Sequence, residues 1–198
     1  MPIPPYNAQP LRFSKTSTGT LWSSADLAPF RRFVRLGTTG ADTELREIVQ
    51  LAGPWVESKC ATTLQEETIT LEVDLPQLGR VKNVDGDVQI ELPFGPVSSV
   101  TSIAWDGGSE TSTTVDLKSL PQRVQLPDDG PRDANTVTVT YVAGHSSWSD
   151  LSAAEQFAVM LATSHLWQNR EAVSAPGMIS VPFMLQYALS AIDRSTIG

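Results

Sequence analysis

Along this 198-residue chain the spacing of apolar residues changes twice, from a helical period to a two-residue alternation and back. Leu27, Phe30, Phe33 and Val34 recur at intervals of three and four. This lays them on one face of a helix that Ser24 or Asp26 can cap, with Pro29 in its first turn and Gly37 just past Leu36. A second helix is predicted from Asp42 to Cys60 or Thr63, with Leu45, Ile48, Val49, Ala52, Val56 and Cys60 inward. Gly53-Pro54 is expected to kink or split it, because proline lacks the N–H that the helical ladder needs. After Thr63, Ile69, Leu71 and Val73 alternate with Thr68, Thr70 and Glu72, and the alternation returns in Val88-Ile90-Leu92 and Val137-Val139-Tyr141. Shorter strands are expected at 97–105, 113–117 and 123–126, separated by Gly- and Asp-rich turns, so residues 64–144 read as an antiparallel unit of about five to seven strands. Helical spacing then resumes. Ser149 or Asp150 is expected to cap a helix carrying Phe157, Met160, Leu161, Ser164, His165, Trp167 and Gln168 on one face. A last helix runs from Pro182 to Ser195 with Phe183, Leu185, Leu189 and Ile192 inward.

The predicted fold class is therefore α+β: a four-helix bundle of two N-terminal and two C-terminal helices (residues 23–63 plus 149–198) with an inserted antiparallel β unit (64–148). Residues 1–22, with four prolines and no apolar periodicity, read as an extended arm that orders only against a neighbour. The apolar share of 40% suits a packed core, and no apolar run reaches the roughly 18–20 residues that cross a bilayer. The start Met1-Pro2-Ile3-Pro4-Pro5 lacks the basic and apolar stretches of a secretory signal, so a cytoplasmic product is expected.

Charge divides the chain more sharply. The net charge is +2 over residues 1–60, −9 over 61–150 and −1 over 151–198. An overall charge of −8 disfavours tight phosphate binding, which needs clustered Lys and Arg to displace counterions. The basic residues Arg31, Arg32 and Arg35 on the first helix and the acidic β unit read either as scattered solvated charge or as an opposed pair of patches that suits head-to-tail association of copies.

Catalytic signals are weak. His145, Ser146, Ser147, Ser149 and Asp150 are adjacent in one loop, but a working triad also needs its base set against the nucleophile and an oxyanion hole, so a loop with a helix cap is the plainer reading. One cysteine and two histidines make no zinc set, and Asp85-Gly86-Asp87 and Asp128-Asp129-Gly130 lack the ligand ladder of a calcium loop. Neither cofactor nor metal is expected. Cys60 is expected to be buried, and His165 to pack rather than ligate. Trp55 and Trp167 are expected in the core. Trp22, Trp105 and Trp148 fall at element ends, where they either cover a core edge or anchor an interface.

Several stretches taken in order carry a family signal. They are Asp26-Leu27-Ala28-Pro29-Phe30-Arg31-Arg32-Phe33-Val34-Arg35-Leu36, Asp42-Thr43-Glu44-Leu45 with Trp55-Val56-Glu57, and Leu92-Pro93-Phe94-Gly95-Pro96-Val97. Val137 to Gly144, His165-Leu166-Trp167-Gln168-Asn169-Arg170-Glu171 and Val181-Pro182-Phe183 complete the series. It resembles the head–tail connector, or adaptor, proteins of long-tailed bacteriophages and of gene transfer agents, over about residues 24–195. The arm and the Gly53-Pro54 interruption depart from that pattern.

The resemblance implies a protein without catalytic activity, assembled in the bacterial cytoplasm into the neck of a virion or phage-like particle. It implies a ring of copies, commonly twelve, under the portal protein. Such a ring extends the DNA channel without specific binding of the DNA and offers a surface to a stopper or tail terminator protein. No membrane is involved. Ring-interface candidates are Arg31, Arg32, Arg35, Trp105, Arg170 and Glu171. Portal-binding candidates are Met184, Tyr187, Leu189, Ile192 and Arg194, because a terminal element tied by the Ser174–Gly177 linker can reach a neighbour. Asp85, Asp87, Asp128 and Asp129 are candidates for an acidic surface facing the lumen or the next ring, where they would repel DNA phosphates. Three other readings stand beside the adaptor. One is a β-sandwich ligand module, sugar-binding in kind, with Trp105 and Trp148 as stacking platforms. The second is an esterase using the 145–150 loop, and the third is a stopper or tail terminator of the neck.

Overall fold

Helix α3 (Asp42–Cys60) is the central element of the helical part, and the residues that its apolar spacing sends inward, Leu45, Ile48, Val49, Ala52, Val56 and Cys60, are the ones buried. The computed structural model describes residues 12–17, 19–74, 89–106, 108–110, 115–116, 122–126, 136–169 and 183–193. Helix α3 is not split at Gly53-Pro54 but continues through it. Pro54 sits on the exposed side, where water can satisfy the Gln50 carbonyl that loses its ladder partner.

The first predicted helix is instead two short ones, α1 (Leu21–Ser24) and α2 (Ala28–Phe33). The break is held from both sides. The Arg46 guanidinium donates to the Ser23 and Ala25 carbonyls, and the Asp26 carboxylate accepts the Ala28 N–H at 2.9 Å. Helix α4 (Ala153–Gln168) begins at Ser152, not at Ser149 or Asp150. Ser152 and Glu155 form a capping box, with Ser152 N–H to Glu155 Oε2 at 2.7 Å and Glu155 N–H to Ser152 Oγ at 3.3 Å. Asp150 closes a separate 3-10 turn, Trp148–Asp150. The buried face of α4 is also turned from the expected one: it is Glu155, Ala158, Val159, Ala162 and Thr163, while Phe157 stands 36% exposed. Apolar residues surround this helix, and the small ones face α3 because they let two helix backbones approach closely. Helix α5 (Phe183–Ser190) packs on α3 and α4 through Leu185 and Ala188. The described helices are thus two long ones with three short ones packed about them, an α+β chain but not a regular four-helix bundle.

The alternating segments form two antiparallel sheets. Strands β1 (Arg12–Ser17), β2 (Glu67–Asp74), β8 (Thr136–Ala143), β4 (Val97–Trp105) and β5 (Gly108–Glu110) make one in that order. Strands β3 (Gln89–Glu91), β7 (Arg123–Gln125) and β6 (Val115–Asp116) make the other. The apolar-in, polar-out alternation is clean in β8, where Val137, Val139, Tyr141 and Ala143 are buried and pair across to Val73, Leu71, Ile69 and Glu67 of β2. Strand β1 overturns part of the expected arm: residues 12–17 order against the chain's own β2, with Phe13 opposite Leu71, and Leu21 and Trp22 are buried in the helical core. Buried side chains fall into two clusters, one among the helices and one between the sheets.

Candidate functional site

The two clusters meet at a joint made by two chain crossings, residues 61–66 leaving α3 and 144–152 entering α4. Gln65 and His145 pair as a parallel bridge, with Glu66 N–H to His145 O at 3.0 Å and His145 N–H to Leu64 O at 2.8 Å. Gly144, at φ +93°, lies so close that a Cβ there would meet the Gln65 carbonyl oxygen at 2.3 Å. The Leu92–Val97 stretch locks onto both crossings. Gly95 O accepts Thr63 N–H and Thr62 Oγ1, each at 3.0 Å, Pro96 O accepts Gly144 N–H at 2.8 Å, and the buried Tyr141 hydroxyl donates to Pro93 O. Buried Gln122 takes Val97 N–H at 2.7 Å and gives back to Val97 O at 3.3 Å. The most distinctive sequence motif is therefore a structural clasp.

Two carboxylates secure the same joint. Glu57 Oε1 on α3 accepts Leu64 N–H at 2.7 Å and Gln65 N–H at 2.8 Å. Burial pushes its pKa above the ordinary 4.5, and those two backbone N–H groups oppose the rise without cancelling it. Glu155 is buried beside His145, with Nε2 to Oε2 at 3.5 Å. There burial also works upward, but the His145 imidazole and the Ser152 N–H and hydroxyl outweigh it and hold the carboxyl at about 2.

The hydrolase constellation of the esterase alternative is not assembled. The Ser146 and Ser147 hydroxyls bond Asp150 Oδ2 at 3.2 and 2.7 Å, and the Ser147 hydroxyl leads in lowering the pKa of that exposed carboxyl, while the His145 ring faces Glu155. Nor do the proposed sugar platforms converge. Trp148 pairs with Phe30 at 4.8 Å in the helical cluster, and Trp105 packs on the sheet cluster. Cys60 is buried, its Sγ 3.5 Å from Leu189 O, and burial followed by the charge of Asp193 raises the thiol to about 11. His165 is half-buried, with Nδ1 3.2 Å from Asn169 Nδ2. Among the described residues no cluster of three His, Cys, Asp or Glu could hold a metal, and no helix is long and apolar enough to cross a membrane.

The surface candidates scatter. Arg31 is consumed by Asp42 at 2.6 Å, whereas Arg32 and Arg35 are exposed and have no anionic partner among the described residues. On α5, Met184 and Tyr187 are 57% and 68% exposed, while Leu189 and Ile192 turn toward the helical core. Asp85, Asp87, Asp128, Asp129, Arg170, Glu171, Arg194 and the Ser174–Gly177 linker lie outside the described residues. Sequence reasoning missed Glu57 and Glu155. The Ser152-x-x-Glu155 spacing was a readable capping signal, but nothing local announces Glu57's reach to residue 64.

No protein-family model and no curated protein matches the chain. Solved structures do. Over 92% of its length and 95% of the other's, the chain superposes on a chain of the neck of an empty gene transfer agent particle computed with C6 symmetry, at TM-score 0.64 and 20% identity. The chain has the fold of a gene transfer agent neck protein. A chain of the neck of a native particle computed with C12 symmetry gives 0.63 at 17% identity, covering 92% and 94% of the two chains. A chain of a native gene transfer agent virion gives 0.62 at 22%, covering 90% and 94%. All three are parts of assembled particles.

Proposed function

We propose that the chain is a structural component of a particle neck, the head–tail connector (adaptor) of a phage or gene transfer agent. In this reading copies form a ring under the portal, extend the DNA channel and receive a stopper or tail terminator. The observation that carries the reading is near-complete mutual coverage with neck chains, 92% of this chain against 95% and 94% of theirs. The geometry supports it, since the buried polar groups at the centre are spent on clasping two cores together rather than on a substrate cleft. The exposed Met184 and Tyr187 of α5 are the portal-facing pair, one helical turn apart on the side opposite the buried Leu185 and Ala188. Asp85, Asp87, Asp128 and Asp129 line the lumen or meet the next ring.

Electron microscopy of the purified protein with and without a portal ring tests this. Added rings of density on the portal are expected, lost in Met184→Glu/Tyr187→Glu with unchanged thermal stability. A protein that ignores the portal and binds a sugar or hydrolyses an ester would end the reading.

A further inference from the structure

The two arginines left without anions are Arg32 on α2 and Arg35 two residues past its end, and between them in sequence stands Phe33, which meets Phe157 of α4 edge-on at 6.2 Å. Phe157 is one of two large apolar residues, with Leu166, that the rotation of α4 leaves at the surface. Two guanidinium groups without an anionic partner among the described residues, the Arg32 Nε donating only to the Ala28 carbonyl at 3.4 Å, stand around a half-exposed aromatic pair and have the composition of an interface anchor rather than of a solvated surface. At the far side of the sheets lies a second patch of opposite kind. Strand β4 starts at the clasp and ends at Trp105, eight residues on, which at about 3.3 Å per residue is roughly 26 Å away. There Trp105 lies half-exposed over Gly108, whose Cβ would meet its indole at 2.9 Å, and the adjoining Asp106 is exposed with no cationic partner among the described residues.

We infer that Arg32, Phe33, Arg35 and Phe157 of one copy dock on the Trp105-Asp106 turn of the next copy, forming the heterologous contact between ring neighbours. Charge complementarity selects a second copy as occupant. The helical patch is cationic on a chain of charge −8, and the turn belongs to the segment that carries −9. The turn also offers both things a guanidinium takes, a carboxylate and an indole face. The two patches differ and lie in different cores, so each copy uses one and offers the other, as ring closure requires. This rests on the connector reading and specifies its self-contact.

The test is charge exchange within one chain, read by electron microscopy of portal-attached rings and by chemical cross-linking between copies. Arg32→Glu/Arg35→Glu and, separately, Asp106→Arg are expected to lower neighbour cross-linking at least about tenfold, the scale of a lost interfacial charge pair. A chain carrying all three substitutions is expected to regain most of it. Melting temperatures equal to wild type confirm folding, since all three sites are exposed. Rings that persist in Arg32→Glu/Arg35→Glu overturn the inference and leave the connector reading intact. So does a triple variant that fails to recover, or a patch whose reversal affects only retention of DNA in the channel. A wild-type chain that forms no ring on the portal overturns both.

Discussion

The indole of Trp22 lies against the backbone of Gly53, so that a methyl group on residue 53 would meet Trp22 Cε2 at 2.4 Å. A tryptophan from α1 thus seats on the one side-chain-free position of α3, and the Gly-Pro pair marks a docking notch in a continuous helix. Gly53→Ala is expected to destabilise the protein by about 1–3 kcal/mol through overpacking. The effect should be smaller in a Trp22→Ala background, where the ring is gone. Urea unfolding of both single variants and the double variant measures that coupling.

Glu57 holds two backbone N–H groups with one oxygen, Oε1. Glu57→Ala strands both donors and is expected to cost about 2–4 kcal/mol, whereas Glu57→Gln keeps an acceptor there and is expected to cost less than about 1 kcal/mol. Because burial raises this carboxyl above 4.5, the folded state binds its proton more tightly than the unfolded chain does. Its share of stability therefore falls as pH rises from 4.5 through the folded value, and Glu57→Gln should remove that slope in denaturation curves taken across the range.

The His145–Glu155 pair has the opposite slope. With the Glu155 carboxyl held at about 2 against an ordinary 4.5, its contribution is complete above pH 5, roughly, and disappears as pH falls toward 2. On the order of 2 kcal/mol is at stake. Glu155→Gln is expected to flatten the acid limb of the stability profile while leaving the Ser152 cap largely formed, and His145→Ala to shift the limb to higher pH. Circular dichroism during acid titration reports both.

Cys60 is a built-in reporter for α5. Its thiol is buried, raised to about 11, and meets the Leu189 carbonyl. In the intact chain it is expected to resist a thiol reagent at pH 8. Removing residues 184–198 should increase the reaction rate more than about tenfold, since access and thiolate fraction both rise. The same truncation also bares the pocket of Leu185, which is 1% exposed, so the point variants at Met184 and Tyr187 separate portal docking from core loss more cleanly.

The readable parts of this protein are those whose signal lies within a few residues. The inward face of α3 follows from Leu45, Ile48, Val49, Ala52, Val56 and Cys60, because one helix turn spans three to four positions. Strands β2 and β8 follow from alternation, because a pleated strand changes face at every residue. The resemblance to connector proteins rested on such local stretches in order, and the fold agrees with it.

What the local pattern could not settle was decided by contacts between distant residues. Nothing within residues 12–17 names Glu67–Asp74 as a partner, since edge pairing is made by backbone groups that every sequence carries. Nothing along α4 says that Ala158 and Ala162 rather than Phe157 and Leu166 face α3, because a helix apolar on all sides acquires its buried face only when a neighbour approaches. The clasp at Gly95, Glu57 and His145 arises in the same way. Its hydrogen bonds join residues that only folding brings within 3 Å or so, and their stabilisation is felt once water has been excluded from both sides.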